Sequence, residues 1–527
     1  MTTIRNPVLK GFHPDPSILR VGEDYYIATS TFEWFPGVRI FHSKDLVHWR
    51  FMTSPITRMT QLNMRGNANS GGVWAPCLSY DNDLFYLIYT DMKNWHGSFK
   101  DSHNYLITAP EITGPWSEPI HLNSSGFDPS MFHDDDGRKW LVNALWDFRQ
   151  GRHPFGGIVL QEYSKEEKKL VGPVKTIFKG TDIRLTEAPH LYKKHGYYYL
   201  ITAEGGTEYE HAVTMARSKD LEGPYEVDPT NPILTSAEKP ELHLQKAGHG
   251  SLVETQTGEW YMAHLCGRPL QGQFCTLGRE TALQKMYWTD DLWIRVEGGG
   301  NSPALEVQAP ALKPVAFEQV PEKDDFNQEE LRPEWNTLRI APDETWLTLK
   351  ERPGYLRLIG RESLASLHDQ SLVARRQQAF HIEVETALEF EPEHFQQMAG
   401  LIVYYDSSDF VYLRVTGDEQ AGKCLGIMQS KNGAYEELLP QAISVKEGSP
   451  LSLRATSDHG LLQFSYREDE NARFEHIGPA LDVTHLSDDS ADTVRFTGTF
   501  VGMCVQDLSG RRKHADFDYF IYRERNH

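Results

Sequence analysis

Cysteine is scarce: there are five in 527 residues, Cys77, Cys266, Cys275, Cys424 and Cys504. An odd number at scattered positions builds neither a disulfide framework nor a zinc site. The thiols read as reduced and buried, the habit of a cytoplasmic protein. Long hydrophobic runs are missing too. No stretch approaches the roughly 18 apolar residues of a membrane span. Met1-Thr-Thr-Ile-Arg-Asn-Pro7 opens without the apolar core of a secretory leader. Positive charge is in short supply, with 53 Lys and Arg against 74 Asp and Glu, a formal net charge of −21. Such a surface repels phosphate backbones and anionic lipid, which excludes nucleic acid and membrane as partners. No His-Glu-x-x-His occurs, so nothing points to a catalytic transition-metal site. Asp134-Asp-Asp-Gly137 lacks the ligand spacing of a calcium loop and reads as a solvated turn. Amphipathic helical periodicity is nearly absent as well.

What remains is β structure. Short runs of Tyr, Ile, Leu, Val and Phe are cut by Gly, Asp, Asn and Pro, and aromatics make up 11%. The chain is too long for one core, which stops growing at roughly 250–300 residues, so two domains are expected. In the first 300 residues a strand-turn-strand unit recurs five times, anchored at Pro16, Pro76, Pro129, Pro189 and Gly250. The intervals are 60, 53, 60 and 61 residues, a radial repeat. Two more strands per unit make four-stranded blades, and residues 1–300 are predicted to form a five-bladed β-propeller. Residues 301–323, rich in proline, read as a linker. Residues 324–527 carry longer alternating strands and are predicted to form a β-sandwich of the concanavalin or jelly-roll kind, so the fold class is all-β.

The first strand of a propeller blade lines the central channel. Asp15, Trp74, Asp128, Glu187 and His249, just before the five anchors, therefore converge at one mouth. The register is uneven: Asp15, Asp128 and His249 immediately precede the anchor, whereas Trp74 and Glu187 sit two before it. One Asp-Pro is an ordinary turn element. Three acids at equivalent positions repel one another, a cost that asks for a function. Carboxylates across a pocket suit glycosidic-bond hydrolysis: a protonated one donates to the leaving oxygen while an ionised one activates water or attacks the sugar. A third acid helps keep the donor protonated. Trp74 and Phe32 can offer ring faces to a sugar, and Arg279 can bind hydroxyls and pair with an acid.

These residues lie in Gly11-Phe-His-Pro-Asp-Pro-Ser17, Thr31-Phe-Glu-Trp-Phe-Pro-Gly-Val38, Gly71-Gly-Val-Trp-Ala-Pro76, Ser125-Gly-Phe-Asp-Pro-Ser130, Thr186-Glu-Ala-Pro-His190, Ala203-Glu-Gly-Gly-Thr207 and Gly278-Arg-Glu-Thr281. With Ala515-Asp-Phe-Asp-Tyr-Phe520, they make the chain resemble the β-xylosidases of glycoside hydrolase family 43 that carry a C-terminal β-sandwich. The resemblance implies an inverting single displacement with Asp15 as general base and Glu187 as general acid. Asp128 would orient the acid and raise its pKa. Phe32, Trp74, Thr207 and Arg279 would line the substrate pocket, with His249 beneath the sugar. The second domain would pack on the active-site mouth and lend a loop to the pocket wall, with Phe517 as the matching residue. Residues 266–277, before Arg279, are short for the family.

The resemblance implies exo cleavage of short β-1,4-xylo-oligosaccharides from the non-reducing end, with α-L-arabinofuranosidase side activity. It requires no cofactor; a structural divalent cation such as calcium near His249, held through water, is the one metal site it offers. It implies a homo-oligomer, a dimer or tetramer. The absent leader suggests imported oligosaccharides as substrate. The alternatives are a primary α-L-arabinofuranosidase and a non-catalytic sugar-binding propeller, which has no need of three acids. A retaining fructan hydrolase would need Asn-Asp-Pro-Asn-Gly in place of His13-Pro-Asp-Pro-Ser17.

Overall fold

A computed structural model describes residues 2–490 and 494–525. Among the described residues every regular element is a β-strand. The chain divides into two compact units. The first holds residues 1–62, 71–268 and 279–317; the second holds 63–70, 269–278 and 318–527.

The first unit is a five-bladed propeller. From the inside outwards, blade 1 runs Ser17–Val21, Asp24–Thr29, Arg39–Ser43, Arg50–Thr53, and blade 2 runs Gly72–Asp81, Leu84–Asn94, Asp101–Ala109, Ile120–Asn123. Blade 3 is Gly126–His133, Lys139–Trp146, Phe155–Ser164, Lys169–Phe178, and blade 4 is Glu187–Lys194, Tyr197–Glu204, Ala212–Ser218, Glu226–Val227, with Leu234–Thr235 added to its third strand. Blade 5 is Gln245–Glu254, Trp260–Gly267, Glu280–Trp288, Ile294–Val296.

Each blade opens with the same irregularity. In blade 3 Phe127 faces Ala144 and Ser130 faces Val142, so Asp128 and Pro129 together oppose one residue. The same skip places Ala75-Pro76, Ala188-Pro189 and His249-Gly250 in blades 2, 4 and 5. In blade 1 the Ser30 N–H donates to the Pro14 carbonyl and Ser17 faces Ala28, isolating Asp15-Pro16. These are β-bulges, and proline is tolerated there because it has no N–H to give a ladder. The first bulge residue is left-handed in all five: Asp15 (φ 55°), Ala75 (27°), Asp128 (53°), Ala188 (49°) and His249 (52°). Gly250 takes the fifth proline slot for a steric reason. A Cβ there would lie 2.7 Å from Met262 Sδ and 3.1 Å from both Val213 methyls.

The ring closes at blades 5 and 1. The Asn6 side chain donates to the Leu283 carbonyl (2.7 Å) and accepts from the Leu283 N–H (2.9 Å). Thr3–Arg5 pairs with Glu306–Gln308, inside the segment 301–323 read as a linker. Ile4, Leu9, Ile18, Tyr25, Val253, Tyr261, Leu283 and Val307 form one buried cluster across this seam.

The second unit has two antiparallel sheets. One is ordered Leu347–Thr348, Leu356–Ile359, His514–Glu524, His381–Glu389, Leu451–Asp458, Leu461–Arg467, Glu475–Asp482. The other is built on Gly422–Lys431, Asp409–Asp418, Gln397–Asp406, Phe500–Asp507 and Ser371–Arg376. Two segments from early in the chain complete this unit. Fully buried Arg339 donates through Nε to the Asn67 carbonyl and through Nη2 to Asn69 Oδ1, both at 2.9 Å. The Thr499 N–H donates to the Thr276 carbonyl (3.0 Å). Phe517 departs from the loop position expected of it. It lies inside strand His514–Glu524, facing Leu356 and Leu388, and is fully buried. Its apolar neighbours on both flanking strands explain the placement.

Candidate active site

The bulges bring the predicted acids together. Asp15, from blade 1, is buried and fully engaged. Ser30 Oγ donates to Oδ2 (2.6 Å), and Arg279 Nη1 donates to Oδ1 (3.1 Å). His249 Nδ1 lies 3.7 Å from Oδ1. Burial opposes ionisation of Asp15, but Arg279, His249, Ser30 and His211 outweigh it and hold the carboxyl below its usual range.

Glu187 and Asp128 are held the other way. Burial first, and the charge of Asp15 second, push Glu187 up to about 8, moderated by Arg279 and Lys100. Burial, then Glu187 and Asp15, push Asp128 well above the carboxylate range. Two such groups cannot both ionise at neutral pH, so the pair retains a proton. The Ala188 N–H donates to Asp128 Oδ2 (3.1 Å), so Asp128 fastens the backbone next to Glu187. The strand's other flank is fixed by Glu204, fully buried, which accepts from the Thr181 N–H (2.9 Å) and from Thr186 Oγ1 (3.0 Å).

Aromatic and polar side chains surround the acids. Phe32 and Trp74 are buried with centroids 5.9 Å apart, and the Arg279 guanidinium sits 5.4 Å over the Phe32 ring. The Phe32 and Val73 backbones exchange two hydrogen bonds of 3.0 Å, tying blade 1 to the strand that carries Trp74. Arg279 Nη1 also donates to Thr207 Oγ1 (2.8 Å). His249 is buried and held neutral by burial and by Arg279, against the pull of Asp15. Phe517 belongs to the second unit, in the strand described above.

Ser30, Lys100 and His211 bear on the acids without having been singled out from the sequence. Ser30 lies beside Thr31-Phe32, and its neighbourhood was the available signal. Lys100 closes an aromatic segment, Trp95 to Phe99, between two strands of blade 2; its charge acts on Glu187 while burial lowers its own pKa. His211 carried no motif. Its ring packs against Gly248, where a Cβ would come within 2.4 Å of three ring atoms.

The donor set around His249 does not fit a directly ligated cation. Among the described residues no three His, Cys, Asp or Glu side chains gather as metal ligands. His249 faces His190 at 6.5 Å, and burial, reinforced by His249, drives His190 down to about 3.

Inner-strand acids around a propeller axis, one ionised and one protonated, with aromatic walls, are the apparatus of a glycoside hydrolase. The model of glycosyl hydrolases family 43 matches residues 4–294. The chain belongs to glycosyl hydrolases family 43. The β-xylosidase C-terminal concanavalin A-like domain matches residues 323–523, which lie within the second unit of this family 43 enzyme. A β-xylosidase of Bacillus subtilis is 53% identical over 99% of this chain and all of its own. A xylosidase/arabinosidase of Humicola insolens is 50% identical over all of this chain and 99% of its own. The crystal structure of a xylan β-1,4-xylosidase from Bacillus halodurans superposes with a TM-score of 0.98 at 66% identity, covering 99% of this chain and 100% of that one.

Proposed function

We propose that this glycoside hydrolase is an inverting, exo-acting β-D-xylosidase that releases xylose from the non-reducing end of short β-1,4-xylo-oligosaccharides. One observation carries the reading: Asp15 is paired with Arg279 Nη1 (3.1 Å) and Ser30 Oγ (2.6 Å), which favour its ionised form, while burial and the charge of Asp15 push Glu187, three blades away in chain order, up to about 8. Asp15 accepts a proton from water as the water oxygen attacks the anomeric carbon. Glu187 gives its proton to the glycosidic oxygen as that bond breaks. Asp15 ends protonated and Glu187 ionised, and solvent restores both. Asp128 positions Glu187 through the Ala188 N–H. Arg279 and Thr207 bind sugar hydroxyls, Phe32 and Trp74 cover the ring, and His249 supports the sugar from below.

Proton NMR of xylobiose digestion tests this. The first product is expected to be α-xylose; β-xylose as first product refutes the mechanism. Asp15→Asn should lower kcat by about 10²–10⁴-fold. Activity on α-L-arabinofuranosides goes with the reading, supported by the name of the Humicola insolens relative. Rates on the two nitrophenyl glycosides measure the preference. The reading needs no metal, and dialysis against a chelator is expected to leave kcat/KM unchanged.

A further inference from the structure

The strongest unexplained surface feature is a pair of solvent-facing phenylalanines. Phe99 is 64% exposed and Phe148 56% exposed, yet their rings meet at 4.9 Å. Exposing two touching rings, tilted 45° to one another, is unfavourable unless something covers them. Phe99 lies in the connection between Leu84–Asn94 and Asp101–Ala109 of blade 2, and Phe148 in that between Lys139–Trp146 and Phe155–Ser164 of blade 3. Both connections leave the pocket end of their blades: Trp74 pairs with Thr90, and Phe127 with Ala144.

An aromatic path links this pair to the pocket. Trp74 meets Phe127 at 5.6 Å, and Phe127 meets Trp146 at 6.2 Å. Lys100 Nζ lies 4.3 Å over the Trp146 ring, and Phe99 is the residue before Lys100. Lys100 also acts electrostatically on Glu187. The acid that protonates the leaving oxygen marks the side on which the leaving sugars exit, so the path from Glu187 over Lys100 and Trp146 runs outwards along the leaving chain.

The geometry points to Phe99 and Phe148 as a stacking platform for sugar units beyond the one next to the scissile bond. The platform's occupant is the far end of a xylo-oligosaccharide, whose pyranose C–H faces suit flat exposed rings. This rests on the xylosidase reading and adds to it a preference for longer chains.

The test is kcat/KM on xylobiose and on xylotetraose, for the wild type and for Phe99→Ala with Phe148→Ala. The platform requires the xylotetraose-to-xylobiose ratio to fall about 3–10-fold, the range of one modest aromatic contact. Phe99→Tyr with Phe148→Tyr should keep the wild-type ratio, which separates stacking from folding. An unchanged ratio in the alanine variant overturns the platform, as does an equal loss on both substrates. So does a smaller assembly on size-exclusion chromatography with the ratio intact, which would make the pair a contact between copies of the chain. Wild-type protein idle on xylobiose refutes the xylosidase reading and the platform with it.

Discussion

Single side chains divide the labour around the acids. Lys100 and Arg279 pull Glu187 down while burial and Asp15 push it up, and the balance stands at about 8. With Glu187 as the proposed general acid, the alkaline limb of kcat/KM is expected near pH 8, where it loses its proton. Removing a neighbouring cation moves that limb the other way from a simple loss of function: Lys100→Met should shift it upwards in a pH–rate profile. Ser30→Ala should raise the acid limb, because the hydroxyl that favours ionised Asp15 is gone. Stability follows the same protons. Glu187 binds a proton in the folded state between its ordinary value near 4.5 and about 8, where the unfolded chain has released it. The wild type loses stability as pH rises through that window. Glu187→Gln removes the dependence, so its melting temperature should exceed the wild type's by a margin that grows from pH 5 to pH 8. Asp15 has the opposite sign. Its depressed pKa contributes stability at neutral pH that is lost as pH falls through the folded value.

At the scale of the element, the bulge explains why the motif reads Asp-Pro-Ser. Its first residue carries the acid in a left-handed conformation. The proline occupies a place with no ladder bond to make. The serine joins neighbouring blades: Ser17 Oγ accepts the Leu78 N–H (3.1 Å), Ser130 Oγ donates to the Pro189 carbonyl (2.6 Å), and Ser251 Oγ accepts the Ile18 N–H (3.1 Å). The uneven register seen in the sequence has the same origin. Asp15, Asp128 and His249 are the left-handed residues, while Trp74 and Glu187 are the last paired residues before the skip. The repeat period, the blade count and the convergence of the acids were legible because bulge prolines recur in the chain. Lys100 and His211 were not, because they reach the acids from loops whose course no local pattern encodes. Phe517 failed as a loop residue for the converse reason. His514-Ala-Asp-Phe-Asp-Tyr519 alternates polar and apolar residues as a strand does, but the loop position came from the resemblance, and its strand partners, Leu356 and Leu388, are remote in sequence. Gly250→Ala tests the steric account of the fifth bulge. The Met262 and Val213 contacts predict a loss of about 1–3 kcal/mol in chemical denaturation.

At the scale of the molecule, sequence order and spatial unit are not the same thing. The propeller-encoding stretch gives up residues 63–70 and 269–278 to the second unit, and Arg339 holds the first of these from the far side of the sequence. Arg339→Ala removes the buried guanidinium that donates to the Asn67 carbonyl and to Asn69 Oδ1, the latter keeping its bond from Ser407 Oγ (3.1 Å). It should lower the stability of the second unit by about 2–4 kcal/mol, read as a separate early phase in calorimetry. The propeller itself has its two ends side by side. Thr3–Arg5 pairs with Glu306–Gln308, and the Ala309 N–H donates to the Thr2 carbonyl (3.1 Å). A ring whose entrance and exit coincide has no privileged starting blade. Its sequence could be cut at another outer turn and the old ends spliced, giving a circular permutant with the same five bulges facing the same axis.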